Sequence, residues 1–305
     1  MRTIPLGQSG LQVPVIAVGC MRMHEITAQQ AEAFVDAALS LGAVFFDHAD
    51  LYAGGVCEEM FARAIHMNDD VREKILLQSK CGIRPGMFDF SKEHILEAVD
   101  GILSRLKTEY LDVLLLHRPD ALMEPEEVAE AFDRLSDSGK VRHFGVSNHN
   151  PGQIRLLQKY LSRPLVANQL QLSAAFTPML DSGLNVNMQN DAAVNRDGGV
   201  LDFCRLEGIT IQPWSPFQYG FCKGTFLNNA QFPELNAAID RIADAHGVSD
   251  TTIALAWLLR HPAKMQPVVG TMNPHRLADC VKAADVDLSR AEWYEIYRAA
   301  GNVLP

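Results

Sequence analysis

The sequence has few features of proteins that depend on disulfides, zinc or a membrane. Its six cysteines are scattered, and none lies in a C-x-x-C pair or near histidine at zinc-finger spacing. We therefore expect reduced thiols and no metal site. The longest apolar stretch near the N-terminus, residues 11–21, contains Gln and Pro and is shorter than the ~20 residues that span a bilayer. No secretory cleavage pattern follows it, so we expect no membrane helix and a cytoplasmic protein.

Positive charge is also scarce. Lys and Arg total 27 against 37 Asp and Glu, a formal net charge of -10, which disfavours nucleic acid as a partner. None of the 21 glycines falls in a G-x-G-x-x-G pattern, and neither G-x-x-x-x-G-K nor H-E-x-x-H occurs. These absences disfavour an open dinucleotide-binding sheet, a P-loop nucleotidase and a zinc protease.

The sequence does contain a regular alternation of short apolar runs and helical patterns. Residues 2–15 predict a hairpin, and the helical patterns fill most intervals between the runs. Uninterrupted apolar runs are typical of parallel strands covered on both faces, and eight of them occur, at 15–18, 44–47, 75–78, 113–116, 143–146, 166–169, 209–212 and 267–270. We predict one domain, residues 1–305, folded as a (β/α)8 TIM barrel with an N-terminal β-hairpin. Residues 173–199 lack clear periodicity and predict a loop with short turns.

Polar residues end several of the predicted strands, where such barrels carry their chemistry. Asp47 ends VFFD, Lys80 ends ILLQSK and His117 ends VLLLH, on three successive predicted strands. Tyr52 follows Asp47 by five residues. These types form a proton-transfer set, because a lysine cation lowers the pKa of a nearby tyrosine and an aspartate can hold that lysine. Taken singly, each has an ordinary alternative as a loop cap, a solvated lysine head or a rim histidine. The other strand ends carry Ser147, Asn148, Gln169, Trp214 and Ser215.

The last predicted strand is followed by a candidate phosphate site. Asn273 can cap a helix, Pro274 suits its first position and Arg276 lies in its first turn. A helix N-terminus after the eighth barrel strand binds phosphate well, although a surface arginine on an ordinary helix is the simpler alternative. Together with the flat indole of Trp214, the segment indicates a dinucleotide.

Five separated motifs resemble the signatures of the aldo-keto reductase superfamily, in the same order. They are FFDHADLYAGG, LLQSK, LDVLLLHRPD, GKVRHFGVSN and PVVGTMNPHRL. The resemblance extends over essentially the whole chain, and it is strongest to the bacterial oxidoreductase branch that carries HRPD after the fourth strand.

The resemblance implies a catalytic tetrad of Asp47, Tyr52, Lys80 and His117. Tyr52 would be the general acid that protonates the carbonyl oxygen, Lys80 would tune Tyr52 while Asp47 holds it, and His117 would orient the carbonyl. Tyrosine is otherwise a weak acid at neutral pH, which is why a charged neighbour matters.

The resemblance also implies a nicotinamide cofactor, with NADP(H) favoured over NAD(H) because Arg276 can hold an additional phosphate. Three positions depart from the usual family pattern, namely His149, Gly270 and Cys280. The implied cofactor-binding residues are Gly19, Cys20, Met21, Asp47, Ser147, Asn148, Gln169, Trp214, Ser215, Pro216, Phe217, Gly270, Thr271, Met272 and Arg276.

The expected function is therefore reduction of a small aldehyde or ketone by NADPH. The alternative is an NADP(H)-binding sensor on the same fold with little turnover. No protein partner is indicated. Specificity is expected from loops near residues 21–25, 88, 118–123 and 217–232. In this set Arg118 either favours an acidic carbonyl substrate or serves as a structural ion-pair partner.

Overall fold

The computed structural model describes residues 1–304 and contains a closed eight-stranded barrel. Neighbouring barrel strands are parallel, and the barrel closes where β12 pairs with β11 on one side and with β3 on the other. The predicted (β/α)8 barrel is thus confirmed, as is its N-terminal hairpin of β1 and β2. The strands in this range are β1 Thr3–Pro5, β2 Gln12–Pro14, β3 Ala17–Gly19, β4 Phe45–Asp47, β5 Leu76–Cys81, β6 Ile83–Arg84, β7 Met87–Phe88, β8 Leu111–Leu116, β9 Val141–Ser147, β10 Leu165–Gln171, β11 Thr210–Trp214 and β12 Val268–Val269. The barrel order is β3-β4-β5-β8-β9-β10-β11-β12, and β6 pairs with β7 as a small separate hairpin.

Helices cover the outside of the barrel. Their apolar residues recur at helical spacing, so that each buries one face: α1 buries Ala31, Phe34, Val35 and Ala38. The helices are α1 Ala28–Ser40, α2 Val56–Ala64, α3 Asp69–Arg72, α4 Lys92–Leu106, α5 Pro125–Asp137, α6 Pro151–Tyr160, α7 Pro178–Leu184, α8 Val200–Leu206, α9 Pro233–His246, α10 Asp250–Leu259, α11 Pro274–Lys282 and α12 Arg290–Ala299. No helix within residues 1–304 is long and apolar enough to cross a membrane.

The helix boundaries follow from local chemistry. Thr27 caps α1 by accepting from the Gln30 backbone N–H, while the Gln30 side chain accepts from the Thr27 N–H. Such a reciprocal pair satisfies two of the backbone donors that a helix leaves free at its start. Gly42, at φ +71°, then turns the chain into β4, a left-handed conformation that glycine adopts without steric cost.

The hairpin closes the N-terminal end of the barrel. The Gly7 N–H donates to Thr210 Oγ1 at 2.7 Å. A Cβ at Gly7 would lie only 2.4 Å from the Val166 carbonyl oxygen, so a larger residue would displace the hairpin from β10 and β11. The opposite end, where the strands finish, is the one expected to carry the chemistry.

Three helices were not predicted, and one of them is the four-residue α3. The expected loop at 173–199 contains α7, and α12 lies near the C-terminus. Tertiary contacts hold them together, because the Tyr297 hydroxyl of α12 donates to Asp181 of α7 at 2.7 Å. The predicted domain 1–305 extends one residue beyond the described range, and its being a single domain stays a prediction.

Candidate active site

The four residues of the predicted tetrad lie at the same end of the barrel. Asp47 is the last residue of β4, Lys80 lies one residue before the end of β5, and His117 directly follows β8. Tyr52 begins a short 3-10 turn after β4. Parallel strands bring these residues together because their carboxyl ends meet at one rim.

Lys80 is the centre of the group and is fully buried. Its Nζ donates to Asp47 Oδ2 at 2.7 Å, to the His48 carbonyl at 2.8 Å and to Tyr52 Oη at 3.2 Å. Three acceptors match the three donors of an ammonium group. Lys80 is therefore held in one position, with a single contact directed at the tyrosine.

The charges in this group control its protonation. Burial lowers the pKa of Lys80, but the Asp47 carboxylate and Tyr52 outweigh it, and the net pKa is raised. Burial raises the pKa of Tyr52, and the opposing Lys80 cation only partly offsets this effect. The expected lowering of the Tyr52 pKa by Lys80 is thus present, but it is smaller than the rise that desolvation causes. Tyr52 carries its proton at neutral pH, as a proton donor requires.

Asp47 is oriented by amide side chains, of which Gln169 was predicted as a site residue while Gln78 and Gln212 were not. Gln78 Nε2 donates to Asp47 Oδ1 at 2.6 Å and Gln169 Nε2 donates to the same oxygen at 3.1 Å. Gln212 links both glutamines through its own amide. The sequence did contain a signal for Gln78 and Gln212, because each ends an apolar run, ILLQ and ITIQ. A strand that only packs in the core has no use for a polar residue at that position.

His117 faces Tyr52 with its ring nearly perpendicular, and the two ring centroids are 6.1 Å apart. Its buried Nδ1 has no hydrogen-bond partner among residues 1–304. Burial and the Lys80 and Arg118 cations lower the pKa of His117 well below its ordinary value. A neutral imidazole at this position can donate one hydrogen bond to a substrate oxygen.

The predicted nicotinamide face is assembled from three strands. The Trp214 indole N–H donates to Asn148 Oδ1 at 3.1 Å, and Asn148 Nδ2 donates to Ser147 Oγ at 2.7 Å. Asn148 at φ 60° and Ser215 at φ 49° both have left-handed backbones, which are uncommon for such residues and concentrate at functional sites. Gln169 lies beside them, but its amide nitrogen is already committed to Asp47.

The predicted rim after β3 is only partly open. Met21 is exposed, whereas Gly19 and the Cys20 thiol are buried. A Cβ at Gly19 would approach Val268 Cγ1 to 3.0 Å, so this position requires a close approach of β3 to β12. Cys20 as a whole is covered by protein, and its backbone N–H donates to the Asp47 carbonyl at 2.9 Å.

The predicted phosphate site lies at the start of α11. Asn273 Oδ1 accepts from the backbone N–H groups of His275 and Arg276, and the Arg276 side chain is exposed. A Cβ added to Gly270 would meet nothing within 4 Å, so this backbone is open to a ligand. Arg22, which sequence reasoning missed, donates to the Gly270 carbonyl at 3.4 Å and brings a second cation here. Thr271 and Met272 are partly exposed beside them, Pro216 is buried and Phe217 is half-buried after β11.

These residues fit a nicotinamide dinucleotide. Open backbone, a helix N-terminus and two cations suit phosphate groups, and the held amide of Asn148 beside an indole suits a carboxamide on a flat ring. Two departures from the family pattern lie in the interior instead. Cys280 is fully buried, and His149 stacks on Phe90 while its Nδ1 pairs with the Ser147 carbonyl.

One cleft of the protein lies away from this chemistry. A cavity of about 670 Å³ lies at the hairpin end, with Gly7 and Thr210 among its lining residues. Residues 1–304 also contain no cluster of histidine, cysteine and carboxylate side chains that could hold a metal. The tetrad end remains the place where reactive groups converge.

Comparison with known proteins agrees with this arrangement. The sequence pattern of the Aldo/keto reductase family matches residues 15–300. The chain is 35% identical to the uncharacterized oxidoreductase YcsN of Bacillus subtilis and 32% identical to the oxidoreductase YdhF of Escherichia coli, with 98% of each chain covered. It is 34% identical to a 6-dehydroglucose reductase of Agrobacterium fabrum, with 95% of both chains covered.

A crystal structure of a thermostable aldo-keto reductase bound to the inhibitor epalrestat has the same fold. It superimposes with a TM-score of 0.74 at 24% identity, over 98% of this chain and 100% of that one. The barrel, the full-length sequence match and the relatives agree. The chain belongs to the aldo/keto reductase family of oxidoreductases, which generally use NAD(P)H.

Proposed function

We propose that this protein reduces a small aldehyde or ketone with NADPH and that Tyr52 is the general acid. The observation that carries the proposal is the buried Lys80, whose Nζ contacts Tyr52 Oη at 3.2 Å and Asp47 Oδ2 at 2.7 Å. The names of two relatives at 34% and 35% identity, both 6-dehydroglucose reductases, support carbonyl reduction.

In this reaction the tetrad would supply a proton to the carbonyl oxygen as negative charge develops there. NADPH, when bound, supplies the hydride that reduces the carbonyl carbon. As the carbonyl oxygen gains negative charge, Tyr52 Oη donates its proton, and the Lys80 cation stabilises the tyrosinate that remains. Asp47 keeps Lys80 charged despite its burial, and neutral His117 donates a hydrogen bond that orients the carbonyl.

The preference for NADPH rests on the N-terminus of α11. Arg276 lies in its first turn with an exposed side chain, and no other assigned role involves it. A guanidinium binds a phosphate monoester through two parallel hydrogen bonds. The 2′-phosphate that distinguishes NADPH from NADH would use this contact.

Substitution of Tyr52 by Phe tests the proposal. We expect kcat for aldehyde reduction to fall about 10²- to 10⁴-fold, the usual contribution of a positioned acid, while the Kd of NADPH changes less than about threefold, because stacking and phosphate contacts remain. Stopped-flow kinetics and fluorescence titration measure the two quantities. Wild-type turnover in Tyr52→Phe contradicts the acid role, whereas tight NADPH binding by a wild-type protein that reduces no carbonyl favours the sensor alternative.

A further inference from the structure

Arg118 is a cation at the active-site rim without a counter-ion. It directly follows His117 and is half-buried. Its guanidinium carbon lies 5.7 Å from the Trp214 ring centroid and 5.5 Å from that of Phe221. Within residues 1–304 no carboxylate lies within 4.0 Å of its guanidinium nitrogens. The two rings hold the guanidinium but leave its donors free.

The acidic residue of the same HRPD motif does not pair with Arg118. Asp120 Oδ2 accepts from the Phe90 backbone N–H at 2.9 Å, and Asp120 Oδ1 accepts from the Leu122 N–H at 2.8 Å. Asp120 therefore shapes the loops after β5 and β8. The structural ion-pair role considered for Arg118 is not realised.

The surroundings of Arg118 belong to the reaction site. Burial lowers the pKa of Arg118. The neighbouring Cys222 and Tyr52 side chains have the opposite, smaller effect and raise it. A partly desolvated cation without an ion pair is unfavourable, so binding an anion there recovers free energy. The chain as a whole has a net charge of -10, so attraction of an anionic substrate must arise locally at this rim.

We infer that Arg118 is a specificity residue that binds a carboxylate on the carbonyl substrate. The inference rests on the proposed function, because the anion site is useful only if Tyr52 beside it is the acid that protonates the carbonyl. A guanidinium fork matches a carboxylate in charge and geometry. A phosphate dianion fits less well, because Lys80, the other buried cation here, is occupied by Asp47, the His48 carbonyl and Tyr52.

A matched pair of aldehydes tests this inference. The probes are 4-carboxybenzaldehyde and its neutral methyl ester, compared in wild type, Arg118→Met and the control Arg63→Met, which removes the same charge from a side chain that is 72% exposed. We expect the acid-to-ester ratio of kcat/KM to fall about 10- to 100-fold in Arg118→Met, mainly through KM, as for loss of a charged hydrogen bond. The control should keep the wild-type ratio, and an unchanged ratio in Arg118→Met overturns the inference.

A binding measurement separates this inference from the proposed reaction. Calorimetric titration with benzoate and benzamide, in the presence and absence of NADP⁺, requires no turnover. Benzoate should bind Arg118→Met at least about tenfold more weakly than wild type, while benzamide distinguishes the two proteins far less. Equal benzoate affinity, or a loss confined to NADP⁺ affinity, overturns the role of Arg118. Absence of aldehyde reduction in wild type refutes the proposed function alone, and benzoate binding still decides the anion site.

Discussion

At the scale of single residues, Asp50 shows how burial sets a protonation state near the site. Burial, reinforced by Glu58, raises the pKa of Asp50 from 3.8 to about 6. Its Oδ1 is buried without a hydrogen-bond partner in residues 1–304. Between about pH 4 and 6 the folded protein keeps a proton that the unfolded chain has lost. Stability therefore decreases as the pH rises through this window and stays lower above it.

Replacing Asp50 by Asn should remove that penalty. We expect the free energy of unfolding at pH 7.5 to rise by roughly 1–3 kcal/mol relative to wild type, and the difference to vanish near pH 4, where Asp50 is protonated in the folded protein. Urea denaturation at the two pH values measures it, with the exposed Asp36→Asn of α1 as control. An equal effect at both pH values would contradict the assigned protonation.

At the scale of elements, α11 combines a capped N-terminus with an exposed cation, Arg276, in its first turn. Arg276→Ala should raise the Kd of NADPH about 10- to 50-fold and that of NADH less than about threefold, because the proposed contact of Arg276 is with the 2′-phosphate. Lys282→Ala, at the other end of the same helix and paired with Asp279, is the matched control. Titration of the protein's tryptophan fluorescence measures both constants, and equal weakening of both cofactors would contradict the phosphate contact.

The helices and strands differ in how strongly the local sequence predicts them. The eight barrel strands were predictable because each contains a short and mostly apolar run, as strands covered on both faces do. Helix α12, which was not predicted, does carry a local signal, the capping box of Ser289 and Glu292 at its start. Helix α7 had little local signal, since its seven residues include Asp, Ser and Gly. It forms against neighbours that are distant in sequence, which propensity does not report.

At the scale of the whole molecule, the two ends of the barrel have different roles. At the N-terminal end, Asp112 is fully buried and pairs with Arg72 at 2.7 Å and Arg142 at 3.1 Å. It also accepts from the Leu77 N–H at 2.9 Å. Both guanidinium groups lie over the Tyr110 ring. This cluster joins the starts of β5, β8 and β9, whereas the tetrad lies at the carboxyl ends of the barrel strands.

Asp112→Ala should therefore affect stability rather than chemistry. Removing the Asp112 carboxylate leaves the buried Arg72 cation without its counter-ion and should cost about 3–5 kcal/mol in the free energy of unfolding, with kcat nearly unchanged wherever the protein is folded. The control Asp100→Ala removes an exposed ion pair with Lys140 and should cost less than about 1 kcal/mol. Denaturant titration and kinetics on the same preparations measure both effects. A large loss of kcat in folded Asp112→Ala would contradict the separation of roles.

The sequence by itself determined the barrel, its hairpin and the candidate tetrad, because apolar periodicity is local and polar residues at strand ends stand out against it. Only the tertiary structure decided that Gln78 and Gln212 orient Asp47, that burial outweighs Lys80 in setting the pKa of Tyr52, and that Asp120 leaves Arg118 unpaired. Hydrogen-bond partners and desolvation depend on residues that are distant along the chain and become neighbours only when the barrel closes.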